Sequence, residues 1–400
     1  ATPRCIFLFD IVCPYAYLAS QAISKLERQC NTSVYWQPVL LGGLYKNTEA
    51  PQGTNSATSI LNATKLRVTS NDFLMHVHRS GVPLNYPPEH LRTPKQKQPT
   101  LKAMRILTAI PSDARAVYAH AFYKARWVEH VDLTKEEEIE KIVQSVKSPS
   151  WDSLQLGSVV DVLSDDSIKQ ELQVQTQKAS SRGVFGVPSF LVNDELFWGL
   201  DRLHFVAGAL GFPASPPRKQ ISLLPHRKNT EIHVKFYFDF SSPWSFLGST
   251  QIERAIAETG ANVKLEFVPI LLGALFRKIG APNLPSAAVS QAKLEYSRKD
   301  FADWVKRYGI EFVFTPHFPI RTVVPLRVVL ASKKLCPDKT VQLIHQLYRA
   351  AWVEEQNIAD VDVLSDLLRA WDFPASQMLK LTQTKEIKDA LIANTTEAET

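Results

Sequence analysis

The stretch FDIVCPYAYLAS, residues 9–20, places a cysteine directly before a proline, where an apolar run gives way to helical spacing. Residues 238–249 read FDFSSPWSFLGS, the same pattern with Ser242 in place of Cys13. Proline is favoured at the first position of a helix, because the N–H that it lacks would have no intrahelical partner there. Each stretch is therefore interpreted as a strand-to-helix junction with residue 13 or 242 at the N-cap.

Further matches in the same order show that the chain repeats itself over most of its length. QPVLLGGLYKNTEAPQ from Gln37 parallels VPILLGALFRKIGAPN from Val268, and FYKARWVEHVDL from Phe122 parallels LYRAAWVEEQNI from Leu347. A period of roughly 200 residues is too long for a solenoid repeat. The sequence therefore predicts a duplicated domain, with a first copy over 1–210 and a second copy over 232–400.

The segment between the copies, GFPASPPRKQISLLPHRKNTE at 211–231, is rich in proline and has no hydrophobic periodicity. Such a composition predicts a semi-rigid linker. The second copy ends before the counterpart of RGVFGVPSFLVNDELFWGLDRLHFV, residues 182–206. It is expected to lack its last strands and helix, and a truncation is favoured because the missing strands would leave apolar surface and an unpaired sheet edge.

Composition excludes several classes of protein. A hydrophobic content of 45% and a charged content of 22% are ordinary for a globular protein of two or three domains. The net charge of +6 is scattered, which does not favour nucleic-acid binding. No apolar run approaches the ~20 residues that span a bilayer. The four cysteines show no C-x-x-C spacing, so neither zinc nor a disulfide framework is predicted, and a reducing compartment is expected.

The pattern of one copy predicts a β-α-β unit, a long helical insertion and a β-β-α unit. Asn193-Asp194 lies between two apolar runs, which is typical of a hairpin turn. The last helix is expected from about Asp201. The predicted ranges are strands at 4–10 and 34–40, a helix at 14–29, helices through 60–145 with breaks at 81–83, 87–99 and Pro111, and a helical stretch at 151–181.

With these motifs in place, each copy resembles the thioredoxin-like fold of the DsbA-like group, in which an all-helical insertion interrupts an α/β domain. The closer resemblance is to kappa-class glutathione transferases and 2-hydroxychromene-2-carboxylate isomerases. It is carried by the two helix-start motifs, the P-x-L-L-G segments at Pro38 and Pro269, RGVFGVPSFLV and ELFWGLDRL. It covers the first copy throughout and the second copy as far as it extends.

Cys13 is a candidate reactive thiol. Free N–H groups and the helix dipole stabilise a negative sulfur at an N-cap, where thiol pKa values fall to roughly 3.5–7.5. The alternative is a cysteine buried against the sheet. Position 16 is alanine, where a dithiol oxidoreductase of this fold would carry its second cysteine. A disulfide cycle at Cys13 would therefore need an outside thiol, and glutathione is the obvious one.

Ser242 occupies the corresponding position in the second copy. Its hydroxyl is expected to cap the helix. In the family that the chain resembles, this serine donates a hydrogen bond to the glutathione sulfur and favours its thiolate. Both roles are compatible, because a hydroxyl donates once and also accepts. A serine cannot form a mixed disulfide, so the second copy can only activate a bound thiol.

The resemblance implies further contacts with glutathione in the first copy. It implies that the Val187-Pro188 bond is cis, faces the helix start and frees the Val187 backbone to pair with an extended peptide. The plain alternative is a proline at a strand start. The resemblance also implies that Leu200 and Asp201 hold the γ-glutamyl end. Asp201 is independently a suitable N-cap for the last helix.

The loop after the second strand supplies looser matches. The resemblance places Gln52 and Lys65 of the first copy, and Asn283 and Lys293 of the second, where the family contacts glutathione. For Lys65 a solvated helix face is the alternative. The second copy lacks the counterparts of Val187, Pro188, Leu200 and Asp201, so it is not expected to hold glutathione by itself.

The function expected from this resemblance is a glutathione-dependent isomerase or transferase acting on small aromatic or conjugated electrophiles. Glutathione is the cosubstrate, and no metal, nucleic acid or membrane partner is expected. One alternative is a monothiol disulfide oxidoreductase that uses Cys13 with glutathione. Another is a non-catalytic scaffold of paired domains. The two copies are expected to pack as an intramolecular pseudo-dimer, and the family includes mitochondrial, peroxisomal and cytoplasmic members.

Overall fold

The computed structural model describes residues 5–85, 100–212 and 231–399. The chain divides into two compact units, here called the first unit, Ala1–Pro216 with Ala288–Arg298, and the second unit, Pro217–Ala287 with Lys299–Thr400. The segment Ala288–Arg298 comes from the second sequence copy but belongs to the first unit. The predicted helix break at 87–99 and nearly all of the predicted linker at 211–231 lie outside the described residues.

The first unit is built on a four-stranded mixed sheet with the order β2-β1-β3-β4. Strand β1 is parallel to β2 and antiparallel to β3, and β3 is antiparallel to β4. The elements of this part of the chain are β1 (Cys5–Phe9), α1 (Pro14–Cys30), β2 (Val34–Pro38), α2 (Leu41–Asn47), α3 (Ala63–Ser80), α4 (Leu101–Ala109), α5 (Arg115–Trp127), α6 (Glu136–Ser145), α7 (Val159–Ser164), α8 (Asp166–Ser181), β3 (Ser189–Val192), β4 (Glu195–Trp198) and α9 (Leu203–Ala209).

Strand β1 is the centre of the first unit, and every residue in it is buried. A strand buried on both faces requires a continuous apolar run, which CIFLF supplies. The ring of Phe7 packs against Trp36 of β2 at 5.0 Å and against Phe190 of β3 at 5.1 Å, measured between ring centroids. These contacts join the three strands whose ends surround the start of α1.

The hairpin predicted at Asn193-Asp194 is confirmed. Both residues have positive φ angles, 50° and 70°, which is the backbone that a two-residue type I′ turn requires. The register pairs Val192 with Glu195 directly across the turn. The hairpin adds β3 and β4 beside β1, after the helical insertion, as the predicted β-β-α unit requires.

The helices of the insertion lie between β2 and β3 and end close to the predicted breaks. Helix α3 stops at Gly81, whose φ of 64° is the left-handed conformation common at helix C-termini. Helix α4 ends at Ala109 and α5 begins at Arg115, on either side of Pro111. This arrangement confirms the predicted thioredoxin-like fold with a helical insertion. None of the helices in the described ranges is long and apolar enough to cross a membrane.

In the second unit the described residues form a two-stranded parallel sheet of β5 and β6. The elements of this part of the chain are β5 (Ile232–Phe238), α10 (Pro243–Ser249), α11 (Ile252–Thr259), β6 (Val263–Pro269), α12 (Leu272–Lys278), α13 (Gln291–Tyr308), α14 (Val323–Leu335), α15 (Thr340–Trp352), α16 (Val361–Ala370), α17 (Ala375–Leu381) and α18 (Lys385–Glu397). Since Ala288–Arg298 belongs to the first unit, the first turns of α13 are part of that unit.

Candidate functional site

The loop that leads into α1 is held by a buried carboxylate, Asp10, one residue after β1. Its Oδ1 accepts hydrogen bonds from the Val12 N–H at 3.0 Å and from the Thr100 hydroxyl at 2.9 Å. Its Oδ2 accepts from the Leu41 N–H at 2.9 Å. Burial raises the pKa of Asp10, and the three hydrogen bonds oppose that rise. Asp10 therefore ties the start of α1 to the starts of α2 and α4.

Cys13 stands at the N-cap of α1, with Pro14 at the first helical position. Its N–H donates to the Asp10 carbonyl at 3.1 Å. Its side chain makes no capping bond to the helix. Instead the Sγ donates to the Val187 carbonyl at 3.3 Å, and the residue is only 8% exposed. The thiol thus lies buried between the helix start and the segment that precedes β3.

The expectation of a thiolate at Cys13 is wrong for the free protein. The pKa of Cys13 is raised to about 12, mainly by burial and to a smaller extent by the nearby Asp10 charge. The N–H groups of Ala16 and Tyr15 act in the opposite direction but are outweighed. The physical reason is that the sulfur is removed from water, and desolvation disfavours the charged form more than a helix start favours it. Burial therefore favours the protonated thiol, whose S–H is directed at the Val187 carbonyl.

The Val187-Pro188 peptide bond is cis. The residues around it, 185–188, are here called the cis-proline loop, and all four are buried. The Pro188 carbonyl accepts from the Gly199 N–H at 2.9 Å. Gly199 has a φ of 110°, a backbone that residues with a Cβ rarely adopt. This bond places the residues after β4 directly beside the cis-proline loop.

Leu200 and Asp201 follow Gly199 in a 3-10 turn, Leu200–Arg202, and α9 begins only at Leu203. The prediction that Asp201 caps the last helix is therefore wrong. The reason is local: the chain makes one tight turn before the helix, and the Asp201 carboxylate pairs with the Arg202 guanidinium instead. Asp201 is exposed and Leu200 is half-buried, and both directly follow Gly199, whose N–H bonds to the Pro188 carbonyl.

Gln52 and Lys65 belong to the part of the chain that follows α2. Gln52 is half-buried in the turn after α2. Lys65 is half-buried in the first turn of α3, where its N–H donates to the Asn62 side chain that caps the helix. The structure thus places the Cys13 sulfur against the Val187 carbonyl, next to Pro188. The Gly199 N–H, which bonds to the Pro188 carbonyl, joins Leu200 and Asp201 to this segment.

Three aromatic side chains near Cys13 were not predicted from the sequence. The Tyr123 hydroxyl donates to the Asp10 carbonyl at 3.3 Å, and the Trp127 indole donates to the Ile11 carbonyl at 2.9 Å. Burial raises the pKa of Tyr45, and the charges of Cys13 and Asp10 raise it further. The signal was available for two of them, because FYKARW, which holds Tyr123 and Trp127, is repeated in the second copy as LYRAAW.

The second unit repeats the frame around a different side chain. Asp239 accepts from the Ser241 N–H at 3.0 Å, the Leu272 N–H at 2.8 Å and the Thr322 hydroxyl at 2.6 Å. The Trp352 indole donates to the Phe240 carbonyl at 2.8 Å. The carboxylate, the hydroxyl and the indole therefore serve the same roles as Asp10, Thr100 and Trp127 in the first unit.

Ser242 is the N-cap of α10, and its Oγ accepts from the Ser245 N–H at 3.2 Å. The neighbouring Trp244 is exposed and packs edge-on against Phe301 at 4.9 Å. Asn283 lies on an exposed loop after α12. Lys293, which was predicted to belong with Ser242 and Asn283, lies on the part of α13 that belongs to the first unit.

Within the described residues, no group of three or more His, Cys, Asp or Glu side chains is placed to hold a metal ion. The groups that lie at or next to the cis-proline loop include the Cys13 thiol, the Val187 and Pro188 carbonyls and the Gly199 N–H.

Comparison with known proteins gives consistent results. The DSBA-like thioredoxin domain matches residues 4–211 and 233–400. Glutathione S-transferase kappa 1 of Homo sapiens is 24% identical over 217 residues, 52% of this chain and 92% of that protein. The 2-hydroxychromene-2-carboxylate isomerase of Pseudomonas putida is 26% identical over 210 residues, 51% of this chain and 93% of that protein.

A solved structure of a 2-hydroxychromene-2-carboxylate isomerase is 22% identical, covers 52% of this chain and 94% of its own, and has a TM-score of 0.40. The two matches to the domain family together extend over most of the sequence and follow the duplication. The chain therefore belongs to the DSBA-like thioredoxin domain family and contains two copies of that domain.

Proposed function

We propose that this protein is a glutathione-dependent transferase or isomerase that acts on small conjugated electrophiles, and that the first unit holds the site. Relatives over about half of the chain are named as glutathione S-transferase kappa and 2-hydroxychromene-2-carboxylate isomerase. The observation that carries the proposal is the contact of the Cys13 thiol with the Val187 carbonyl beside a cis proline.

In this proposal Cys13 acts as a hydrogen-bond donor and not as the nucleophile. Its S–H now donates to the Val187 carbonyl, and a ligand sulfur arriving at the cis-proline loop would receive that hydrogen bond instead. A donor directed at a sulfur favours its thiolate form, because hydrogen bonding to the charged form lowers a pKa. The high pKa of Cys13 keeps the proton on the donor, so only the ligand sulfur is activated.

The activated glutathione sulfur then attacks the electrophile. Addition to a conjugated carbonyl compound forms a carbon–sulfur bond and converts the adjacent double bond into a single bond. Rotation about that bond, followed by expulsion of the thiolate, gives an isomerised product and returns glutathione. Where a leaving group is present, its departure gives a stable conjugate, which is a transferase reaction.

The remaining predicted residues orient the peptide. The Val187 backbone pairs with the cysteinyl portion, and Leu200 with Asp201 receives the γ-glutamyl end, whose ammonium suits a carboxylate. Gln52 and Lys65 add contacts from the turn after α2 and from the first turn of α3. The described residues of the second unit form a sheet of β5 and β6 alone, with no counterpart of the cis-proline loop beside Ser242, so turnover is assigned to the first unit.

The test uses the full chain and three variants: Cys13→Ala, Cys13→Ser and, as a matched control, Cys336→Ser, which changes a half-buried cysteine in the second unit. Binding of glutathione is measured by calorimetry, and conjugation is followed with 1-chloro-2,4-dinitrobenzene. Cys13→Ala is expected to lower turnover about 100-fold, the usual cost of removing one donor to a developing anion. Cys13→Ser is expected to recover most of that loss, because a hydroxyl also donates.

Intact mass after incubation with glutathione disulfide separates this mechanism from a monothiol oxidoreductase. A neutral, buried thiol is expected to take up little adduct at pH 7. Rapid formation of a Cys13 mixed disulfide, cleared by excess thiol and without conjugation of the aromatic electrophile, contradicts the proposal and favours the oxidoreductase. Absence of binding heat, with all variants alike, favours a non-catalytic scaffold.

A further inference from the structure

A tyrosine from the second sequence copy holds the last residue of β4 in the first unit. Tyr296 is buried and lies on the part of α13 that belongs to the first unit. Its hydroxyl accepts from the Trp198 N–H at 2.9 Å and donates to the Trp198 carbonyl at 3.3 Å. Strand β4 is at the edge of the described four-stranded sheet, where outward backbone groups lack a strand to pair with. The Tyr296 hydroxyl provides both bonds instead.

The bond to the Trp198 carbonyl reaches the cis-proline loop through a single peptide unit. The Trp198 carbonyl and the Gly199 N–H belong to the same planar peptide, and that N–H donates to the Pro188 carbonyl at 2.9 Å. This peptide is therefore held on both sides, by Tyr296 at its oxygen and by Pro188 at its hydrogen. Because the two ends of a planar peptide cannot turn independently, the Tyr296 hydroxyl fixes the direction of the Gly199 N–H.

Side-chain packing joins Tyr296 to the cis-proline loop as well. The Tyr296 ring lies 5.5 Å from the Phe185 ring and 6.1 Å from the Trp198 ring, measured between centroids. Phe185 in turn packs against Trp198 at 4.9 Å. A Cβ added at Gly186 would meet the Trp198 indole nitrogen at 3.0 Å. The first two residues of the loop, Phe185 and Gly186, thus pack on the residues whose backbone Tyr296 holds.

The corresponding position of the first sequence copy carries no hydroxyl. The alignment that pairs Lys65 with Lys293 also pairs Val68 with Tyr296. Val68 is 60% exposed on α3, and a valine side chain neither donates nor accepts a hydrogen bond. The described sheet of the second unit consists of β5 and β6, without a counterpart of β4 that such a residue would hold. The tyrosine contact therefore runs in one direction, from the second sequence copy to the site of the first.

We propose that Tyr296 is a positioning residue for the site of the first unit and acts through the Gly199 peptide. This inference rests on the proposed function, in which the Val187 backbone pairs with the peptide ligand. Leu200 and Asp201 receive its γ-glutamyl end in the same proposal. The two binding segments meet at Gly199, which precedes Leu200 and bonds to the cis-proline loop. By fixing that peptide, Tyr296 keeps both segments in the relative position that the ligand requires.

The experiment compares the full chain with Tyr296→Phe, which keeps the ring and removes the hydroxyl. The matched control is Tyr118→Phe, a buried tyrosine of the same unit whose hydroxyl donates to the Pro149 carbonyl at 3.0 Å. Hydrogen exchange is followed for the Gly199 amide, with the β1 amides reporting the stability of the unit. In Tyr296→Phe the Gly199 amide is expected to exchange about tenfold faster relative to β1, because its bond to Pro188 opens more often. Tyr118→Phe is expected to leave that ratio unchanged.

Binding and turnover of the same three proteins give the functional readout. Calorimetry with glutathione is expected to show about tenfold weaker binding to Tyr296→Phe, the effect of losing two neutral hydrogen bonds behind the binding surface. With 1-chloro-2,4-dinitrobenzene at saturating glutathione, kcat is expected to stay within about twofold, because a loss of uniform binding raises KM and leaves kcat unchanged. Tyr118→Phe is expected to match the unmodified chain in both measurements.

The exchange measurement separates this inference from the proposed function. If the Gly199 amide of Tyr296→Phe accelerates only in step with the β1 amides, Tyr296 contributes to stability alone and the positioning role is wrong. It is also wrong if Tyr296→Phe binds glutathione as tightly as Tyr118→Phe does. If the unmodified chain binds no glutathione, the proposed function fails, and selective acceleration at Gly199 then still supports positioning of the cis-proline loop by Tyr296.

Discussion

The two helix starts of this chain share one backbone frame and use the N-cap side chain in different ways. In the second unit the Ser242 hydroxyl accepts a hydrogen bond from the Ser245 N–H of its own helix. In the first unit the Cys13 sulfur makes no such bond and donates to the Val187 carbonyl, 174 positions later in the sequence. The N-cap side chain therefore bonds within its own helix in the second copy and to a distant segment of the sequence in the first copy.

The frame that the copies share is the buried carboxylate after the first strand. Asp10 and Asp239 each accept two backbone N–H groups and one threonine hydroxyl, and each is followed by a loop whose carbonyl accepts a tryptophan indole. The two helix starts therefore share the contacts of the buried carboxylate and differ in the partner of the N-cap side chain.

The largest effect is expected from breaking the frame itself. Asp10→Asn and Asp239→Asn each place an amide N–H₂ group where a carboxylate oxygen accepts a donor. Each is expected to destabilise its unit by about 2–3 kcal/mol, because a buried donor is left without an acceptor. Hydrogen exchange of the β1 and β5 amides measures the loss in each unit separately. Asp338→Asn, at an exposed position, is the control, and equal protection in all three variants would contradict the shared role.

The next effect is a pH dependence of the free energy of unfolding that a cysteine at position 13 confers and a serine does not. The pKa of Cys13 in the folded chain, about 12, lies above the ordinary thiol value of 9.0. A raised folded pKa contributes stability that is full below about pH 9 and is lost as the pH rises toward 12. The free energy of unfolding of the unmodified chain should therefore fall relative to Cys13→Ser by about 1.4 kcal/mol per pH unit in that range.

Urea unfolding of both proteins between pH 8 and 11 gives this difference, since the other titrating groups are common to both. Alkylation of Cys13 by iodoacetamide should likewise keep accelerating past pH 10. A rate that levels off near pH 7 would show that the folded thiol is ionised there, and would restore the thiolate expected from the helix start.

The smallest effect concerns the cap. Ser242→Ala removes the acceptor for the Ser245 N–H and is expected to cost about 1 kcal/mol, the usual value for an N-cap serine. Exchange of the Ser245 amide should accelerate about fivefold. In Cys13→Ala the corresponding Ala16 amide should keep its exchange rate relative to the rest of α1, because no capping bond is lost. Equal acceleration in both copies would mean that Cys13 also caps its helix.

The sequence was sufficient for features that depend on local rules. The cysteine–proline pair predicted the start of α1, the Asn193-Asp194 dipeptide predicted the hairpin, and the repeated motifs predicted two copies of one domain. The ionisation of Cys13 could not be predicted in the same way. It depends on burial of the sulfur and on its contact with Val187, which is 174 positions away in the sequence.

Other errors have equally specific causes. Asp201 has the composition of an N-cap, but a turn inserted between Gly199 and Leu203 moves the helix start past it. The repeat did contain the tyrosine and tryptophan of FYKARW, and those residues could have been selected by comparing the copies. The placement of Lys293 in the first unit has no signal in either copy taken alone, because it arises from the packing of Tyr296 on Trp198.

The long separation between Cys13 and Val187 has a consequence for how the protein is made. During synthesis residue 13 emerges well before the segment that will cover it, so the nascent chain carries an ordinary, water-exposed cysteine. Its protection from oxidants begins only when β3 is added to the sheet beside β1. The vulnerable period of this sulfur is therefore its biosynthesis, and the mature protein shields it.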